Sequence, residues 1–124
     1  MSKISGAESQ IMEALWARGP LTAEEIVQSV GPANAWGEAT VKTLINRLLK
    51  KGAVAAKKDG RRYLYSPRLK REDYVGAESQ GLLDRLFDGR LAPLVSHFSE
   101  QGRLSAEDLA ELRRLIEELD DEPR

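Results

Sequence analysis

At 124 residues the chain has room for one ordinary domain, or for a compact head with a small accessory module, and two enzymatic domains will not fit. It has no cysteine and one histidine, which excludes a disulfide framework and a thiolate metal site and fits the reducing cytoplasm. The net charge of −1 hides a division: residues 1–75 carry 13 Lys/Arg against 8 Asp/Glu, net +5, and residues 76–124 carry 6 against 12, net −6.

The N-terminus has no apolar signal core, and no apolar run approaches the roughly 20 residues that span a bilayer, so no membrane insertion is expected. Ser5 followed by Glu8 is a capping box, in which each side chain satisfies an otherwise unpaired backbone N–H. Ala7, Ile11, Met12, Leu15 and Trp16 then form one apolar stripe at helical spacing, which Gly19-Pro20 stops. Thr22 and Glu25 repeat the box, with Leu21 and Ile26 spaced as a hydrophobic staple. This second helix is expected to end by Gly31-Pro32, since proline does not continue a helix.

A third helix starts after Trp36-Gly37 and ends at Gly52, with Val41, Leu44, Ile45, Leu48 and Leu49 as its apolar stripe. At about 100° per residue, Ala39, Thr43, Asn46 and Lys50 point away from that stripe, with Thr40 and Arg47 beside them. The period then changes to that of strands: 54–58 and 61–66 flank Asp59-Gly60, which suits a two-residue hairpin turn. That turn would put Val54 and Ala56 on one face with Tyr63 and Tyr65, pair Lys57 with Arg62 on the other, and leave Lys58 and Arg61 at the tip. Three helices followed by a basic hairpin is the order of a winged helix-turn-helix head.

After Pro67 a helix is expected over about 71–87, weakened by Gly76 and Gly81, each of which costs about 1 kcal/mol relative to alanine. That weakness points to close packing with another helix. A short amphipathic piece around Leu91, Leu94, Val95 and Phe98 follows Gly89. Ser105 then caps a last helix with Asp108 three residues on, and Leu109, Leu112, Ile116 and Leu119 recur at the spacing of a helix–helix seam. The acidic tail from Asp120 to Arg124 is expected to fray. The reading is a mainly α protein: a head of three helices and a β-hairpin wing over 1–70, and a helical dimerisation module over 71–124. Leu82, Leu86, Leu94, Phe98, Leu109, Leu112, Ile116 and Leu119 are the candidate dimerisation residues. A small bundle folding back on the head is the alternative.

Lys42 through Arg71 holds 11 basic residues and one acid, Asp59, the electrostatic footprint of a surface for a polyanion. Thr40, Thr43, Asn46 and Arg47 are residue types that read base edges in the major groove, whereas Lys42, Lys50, Lys58, Arg61 and Arg62 suit phosphates. Double-stranded DNA is therefore the expected partner. The alternative is a protein-interaction winged helix whose basic face docks an acidic protein. No catalytic constellation, phosphate-binding glycine loop or metal-ligand spacing is present, so neither enzyme chemistry, a cofactor nor a metal site is expected; His97, beside Phe98, reads as a packing or surface residue.

The sequence resembles the BlaI/MecI penicillinase repressors with their CopY relatives, over nearly the whole chain. In the head the resemblance rests on Ile4-Ser5-x-Ala7-Glu8 with Trp16, Leu21-Thr22-Ala23-x-Glu25-Ile26, and Trp36 followed by Thr40-Val41-Lys42-Thr43-Leu44-Ile45-Asn46-Arg47-Leu48. It continues through Lys50-Lys51-Gly52-Ala53 and Gly60-Arg61-Arg62-Tyr63-Leu64-Tyr65-Ser66-Pro67. Beyond the head it covers Glu72-x-Tyr74, Leu94-Val95-x-His97-Phe98 and Leu104-Ser105-x-Glu107-x-Leu109-x-Glu111-Leu112. It implies a homodimer that binds an inverted-repeat operator and represses a β-lactamase or related resistance operon, often beside the gene of a membrane-embedded metalloprotease sensor. Many members open the third helix with Ser-Pro-Lys, where this chain has Gly37-Glu38-Ala39, so one cation is missing and an acid has appeared. The cysteine-rich tail of the copper-responsive relatives is absent, and the pair aligned with the Asn-Phe site of induced cleavage is His97-Phe98.

Overall fold

The computed structural model describes residues 3–121, and the chain divides into two compact units, Met1–Val75 and Gly76–Arg124. The first holds α1 (Gly6–Arg18), β1 (Leu21–Thr22), α2 (Ala23–Asn34), α3 (Glu38–Lys51), β2 (Val54–Asp59) and β3 (Arg62–Pro67). α4 (Arg71–Phe87) begins in the first unit and continues into the second, which also holds α5 (Leu91–Glu100) and α6 (Ala106–Asp121). Among the described residues, no helix is long and apolar enough to cross a membrane.

Both capping boxes form. Ser5 N–H donates to Glu8 Oε1 at 2.8 Å while Glu8 N–H donates to Ser5 Oγ at 3.1 Å, and Thr22 and Glu25 make the same exchange at 3.0 and 3.2 Å. The helices enclose one apolar core in which Ile11, Met12, Leu15, Ile26, Val41 and Leu48 are fully buried. Each such side chain contributes about 1.5–3 kcal/mol. Trp16 and Tyr74 pack on this core with ring centroids 5.6 Å apart, and Trp16 Nε1–H donates to the Leu69 carbonyl at 2.8 Å. Leu69, Tyr74 and the Arg71–Glu13 ion pair thus belong to the head.

α2 does not end at Gly31-Pro32 as expected but carries Pro32 through its last turn to Asn34. The usual clash of the proline ring with the preceding Cβ is absent because that residue is Gly31. A Cβ at Gly31 would also lie 3.0 Å from the Trp36 carbonyl oxygen. The helix end closes on itself: Trp36 N–H donates to the Gly31 carbonyl at 2.9 Å, and Asn34 Nδ2 donates to the Val30 carbonyl at 2.8 Å. Ala35 turns the chain in the left-handed region, with φ 56°.

The sheet is three-stranded and antiparallel in the order β1-β3-β2, its first strand being the short Leu21–Thr22 segment that pairs with Tyr65 and Leu64. The hairpin register differs from the expected one. Its loop is Gly60-Arg61, so Lys57 faces Leu64, Lys58 faces Tyr63 and Asp59 faces Arg62. Gly60 at φ 63° takes the first loop position, where a type II′ turn favours glycine. The expected register would have set Lys57 against Arg62; the observed one sets opposite charges across from each other. The displacement is two residues, so Ala56 and Tyr65 still share a face.

The second unit follows another rule: no residue of α4, α5 or α6 is buried. A Cβ at Gly76 would meet nothing within 4 Å, so the close packing expected from its glycines is not supplied there within the chain. α6 begins as the sequence indicates, with Asp108 N–H donating to Ser105 Oγ at 3.0 Å. Asp120 and Asp121 of the acidic tail are helical, and residues 122–124 lie outside the described residues.

An ion pair joins the two ends of the head's helical layer. Glu8 in α1 is 1% exposed, and its Oε1 accepts from Lys51 Nζ at the end of α3, which also donates to the Lys3 carbonyl. Burial pushes the Glu8 carboxyl upward, but the hydrogen bonds from Lys51 and Ser5 outweigh it and hold the group below the ordinary carboxylate value. Lys51→Met leaves that carboxylate buried without a counter-charge, held only by its Ser5 contacts, and should cost about 2–3 kcal/mol in urea denaturation at neutral pH. The cost is moderate for a broken buried pair because the Lys51 side chain keeps 25% of its surface in solvent. With its folded pKa below its unfolded one, Glu8 contributes stability above the carboxylate range that is lost as pH falls through it. Lys51→Met should therefore flatten the acid limb of the stability curve; equal acid sensitivity in both proteins would place its source elsewhere.

Candidate nucleic-acid interface

α3 has one face for the core and one for solvent, because its apolar residues recur at the helical period. Val41, Leu44, Ile45 and Leu48 are buried, whereas Thr40, Lys42, Thr43, Asn46, Arg47 and Lys50 are all exposed. Gly37 supplies an extended N-cap, and Gly52, at φ 76°, ends the helix in the left-handed region. Thr40, Thr43 and Arg47 line one shallow depression of about 280 Å³ on the exposed face, with Ala39 and Leu44; Asn46 is exposed beside it. Thr43 Oγ1 donates to the Ala39 carbonyl at 3.0 Å, which fixes its rotamer and leaves the oxygen able to accept.

The hairpin presents Lys57, Lys58, Arg61 and Arg62 to solvent. Only Arg61 lies in the loop; Lys58, expected at the tip, is in the strand opposite Tyr63. A second groove, of about 570 Å³, runs between α2, the first turn of α3 and β3, and there Lys42 and Arg62 come together with Glu24, Glu38, Tyr63 and Tyr65. Lys50, Lys58 and Arg61 do not line it.

The charges inside this groove are not all positive. Lys42 Nζ lies 2.7 Å from Glu38 Oε1, one turn back along the same helix. The hydrogen bond and the charge of Lys42 lower the Glu38 carboxyl, and the same contacts raise the Lys42 ammonium. Glu25 is also lowered, first by the hydrogen bonds it accepts in its capping box and in smaller part by the nearby charges of Arg18 and Arg62. Sequence reasoning assigned Lys42 to phosphates and did not notice its partner; the signal was a glutamate four residues before a lysine, the favourable order on a helix. Lys51, counted in the basic run, is instead held by Glu8.

In the second unit the expected seam residues are only half-covered. Leu82, Leu94 and Leu112 are half-buried, while Leu86 is 66% exposed, Ile116 56% and Leu119 62%, with Phe98 and Leu109 also exposed. Leu94, Phe98 and Leu112 line an apolar groove of about 290 Å³ between α5 and α6, together with Leu104 and Leu115, the last unnoticed in the sequence. The exposed His97 ring lies 6.3 Å from the Phe87 ring and edge-on to Phe98 at 5.7 Å. Among the described residues, no group of three or more His, Asp or Glu is placed to hold a metal ion.

Residues 4–118 match the family model described as penicillinase repressor. The chain is 33% identical over 116 residues to the penicillinase repressor of Bacillus licheniformis, covering 94% of this chain and 91% of the relative. It is 30% identical over 114 residues to the methicillin resistance regulatory protein MecI of Staphylococcus aureus strain N315, covering 92% and 93%. Among solved structures, the monomeric form of Bacillus licheniformis BlaI in complex with the blaP half-operator superposes with a TM-score of 0.53 at 32% identity, covering 59% of this chain and 89% of that one.

The hairpin's geometry rests on Gly60, where a side chain would meet no neighbour within 4 Å but would be forced to φ 63°. Gly60→Ala should therefore cost about 1–2 kcal/mol without any steric clash. The loss should appear as faster amide hydrogen exchange along β2 and β3. Unchanged exchange there would mean that the loop relaxes to another turn type.

Proposed function

The chain belongs to the penicillinase repressor family, and we propose that it is a homodimeric cytoplasmic transcriptional repressor that binds an inverted-repeat operator in double-stranded DNA. The observation that carries this reading is the exposed face of α3, where Thr40, Thr43, Asn46 and Arg47 stand opposite a fully apolar buried stripe. A helix of this kind lies in the major groove with its N-terminal half against base edges, and the basic hairpin beside it meets the sugar–phosphate backbone. In this reading Lys42, Lys50, Lys58, Arg61 and Arg62 neutralise phosphates. The head carries out no catalysis and takes no cofactor.

The second unit supports pairing of chains, since its helices carry large apolar side chains and bury none of them. Exposed apolar surface of this extent on so small a segment is favourable only when covered. A second copy, laying Leu82, Leu86, Leu94, Phe98, Leu109, Leu112, Ile116 and Leu119 against their equivalents, would complete the core. Two heads joined in this way present two α3 helices about one helical turn of DNA apart, or a multiple of it, and so match an inverted repeat. The regulated genes are, on this reading, a β-lactamase or related resistance operon. Its inducer is a sensor protease that cuts at the exposed His97-Phe98 pair and releases the dimer.

Asn46→Ala and Arg47→Ala should each lose about 1–3 kcal/mol of discrimination between operator and scrambled DNA, while Arg61→Ala should weaken all sequences alike. Competition titrations measure both quantities, and a uniform loss from all three variants would place α3 outside the groove.

A fragment ending at Val75 retains the whole head core, including Leu69 and Tyr74, and should fold as a monomer that binds half-sites. The full chain should sediment as a dimer and hold the complete operator roughly 10²-fold more tightly, because the second engagement is intramolecular. A monomeric full chain, or a fragment equal to it on the intact site, would overturn the dimer.

A further inference from the structure

Of the two acids in the groove beside α3, Glu24 and Glu38, the second is paired with a cation assigned to phosphates, which a simple polyanion receptor would leave free. Glu38 is the first residue of α3, and its carboxylate is paired with Lys42 at 2.7 Å in a largely exposed contact. Both residues line the groove that Arg62 also lines, so the carboxylate shares that groove with two of the cations assigned to phosphates. Its position is stable within the chain: an acid in the first turn meets the positive end of the helix dipole, and a glutamate four residues before a lysine is the favoured order. The lowered Glu38 carboxyl is ionised at neutral pH, so its charge is a fixed part of the surface.

In a helix that enters the major groove N-terminus first, residue 38 lies at the end nearest the DNA. A carboxylate is repelled by every phosphate it approaches, whatever the sequence. The major groove offers it an amino donor, and cytosine N4 is the one for which an acceptor-only side chain is suited. Lys42 faces the opposite choice, since a phosphate that recruits it must displace Glu38.

We infer that Glu38 is a specificity-determining residue, which holds Lys42 away from the phosphates of non-cognate DNA and accepts a hydrogen bond from a cytosine amino group at a cognate site. This rests on the DNA-binding reading given above. The penalty on non-cognate DNA is uniform, and relief at a G·C pair is local, so the residue lowers general affinity and raises the ratio of specific to non-specific binding.

Glu38→Gln keeps the size and helix preference of the side chain and removes its charge. Binding to a random-sequence duplex should strengthen about fivefold at moderate salt, and the plot of log K against log[salt] should steepen by about 0.9, the signature of one more phosphate neutralised. Lys42→Met in the Glu38→Gln background should remove that added slope. Selection from a random duplex library should yield cytosine at one position of each half-site with the parent chain, and lose that preference with Glu38→Gln, whose amide suits adenine. An unchanged slope together with an unchanged base preference would overturn the inference and leave Glu38 as a helix-end stabiliser alone. A parent chain whose binding is flat with salt would instead overturn the DNA reading on which the inference stands.

Discussion

Everything the head presents to a partner depends on the rotation of α3 about its own axis, and that rotation is fixed by burial. Val41, Leu44, Ile45 and Leu48 face a core built by α1 and α2, and turning the helix by a single residue position would expose several of them at about 1.5–3 kcal/mol each. Thr40, Thr43, Asn46 and Arg47 are then outward by default. The C-terminal end is held as firmly. Lys51 reaches the buried Glu8, Gly52 reverses the chain, and the Ala53 carbonyl accepts from the Arg68 and Leu69 N–H groups at 2.8 and 3.1 Å. Those last bonds tie the residues after the hairpin to the end of α3, so helix and wing are held to one point of the head.

The second unit has the reverse construction. Its three helices are well formed locally, with an acidic first turn in α4 and α6 and a serine cap on the latter, yet none of their residues is buried. Local propensity and capping stabilise short helices only marginally, and most helical stability in proteins comes from packing an amphipathic face. The packing of such a segment is conditional, since it gains most of its stability only when its apolar faces are covered. The charge divides at the same boundary, net +5 in residues 1–75 and net −6 in residues 76–124.

Much of this was legible in the sequence because the signals are local. The two capping boxes, the period of α3 and the terminal glycine at position 52 each involve residues within one or two turns, and the structure forms them where the sequence places them. What escaped involves longer range or competing local rules. Proline at position 32 argued for a helix end, but the glycine before it relaxes the restriction on the residue preceding a proline, and the helix runs two residues further before it ends at Asn34. Asp59-Gly60 argued for one loop, and the chain turns through the neighbouring one, with Gly60 at φ 63° in its first position and Asp59 across from Arg62. Strand β1 is too short to show any alternation, and only its pairing with β3 makes it a strand. Lys51 read as one cation among many because its partner, Glu8, lies 43 residues away in sequence. Exposure of the α3 face was therefore readable, whereas the identity of the cations left free on it was not.

If the exposed face of α3 and the basic hairpin form a single surface for duplex DNA, amide chemical shifts of the full chain titrated with an operator duplex recovered by selection will report it. The largest shifts should fall in residues 38–50 and 57–63. Shifts confined to α5 and α6, or scattered evenly over the chain, would contradict it.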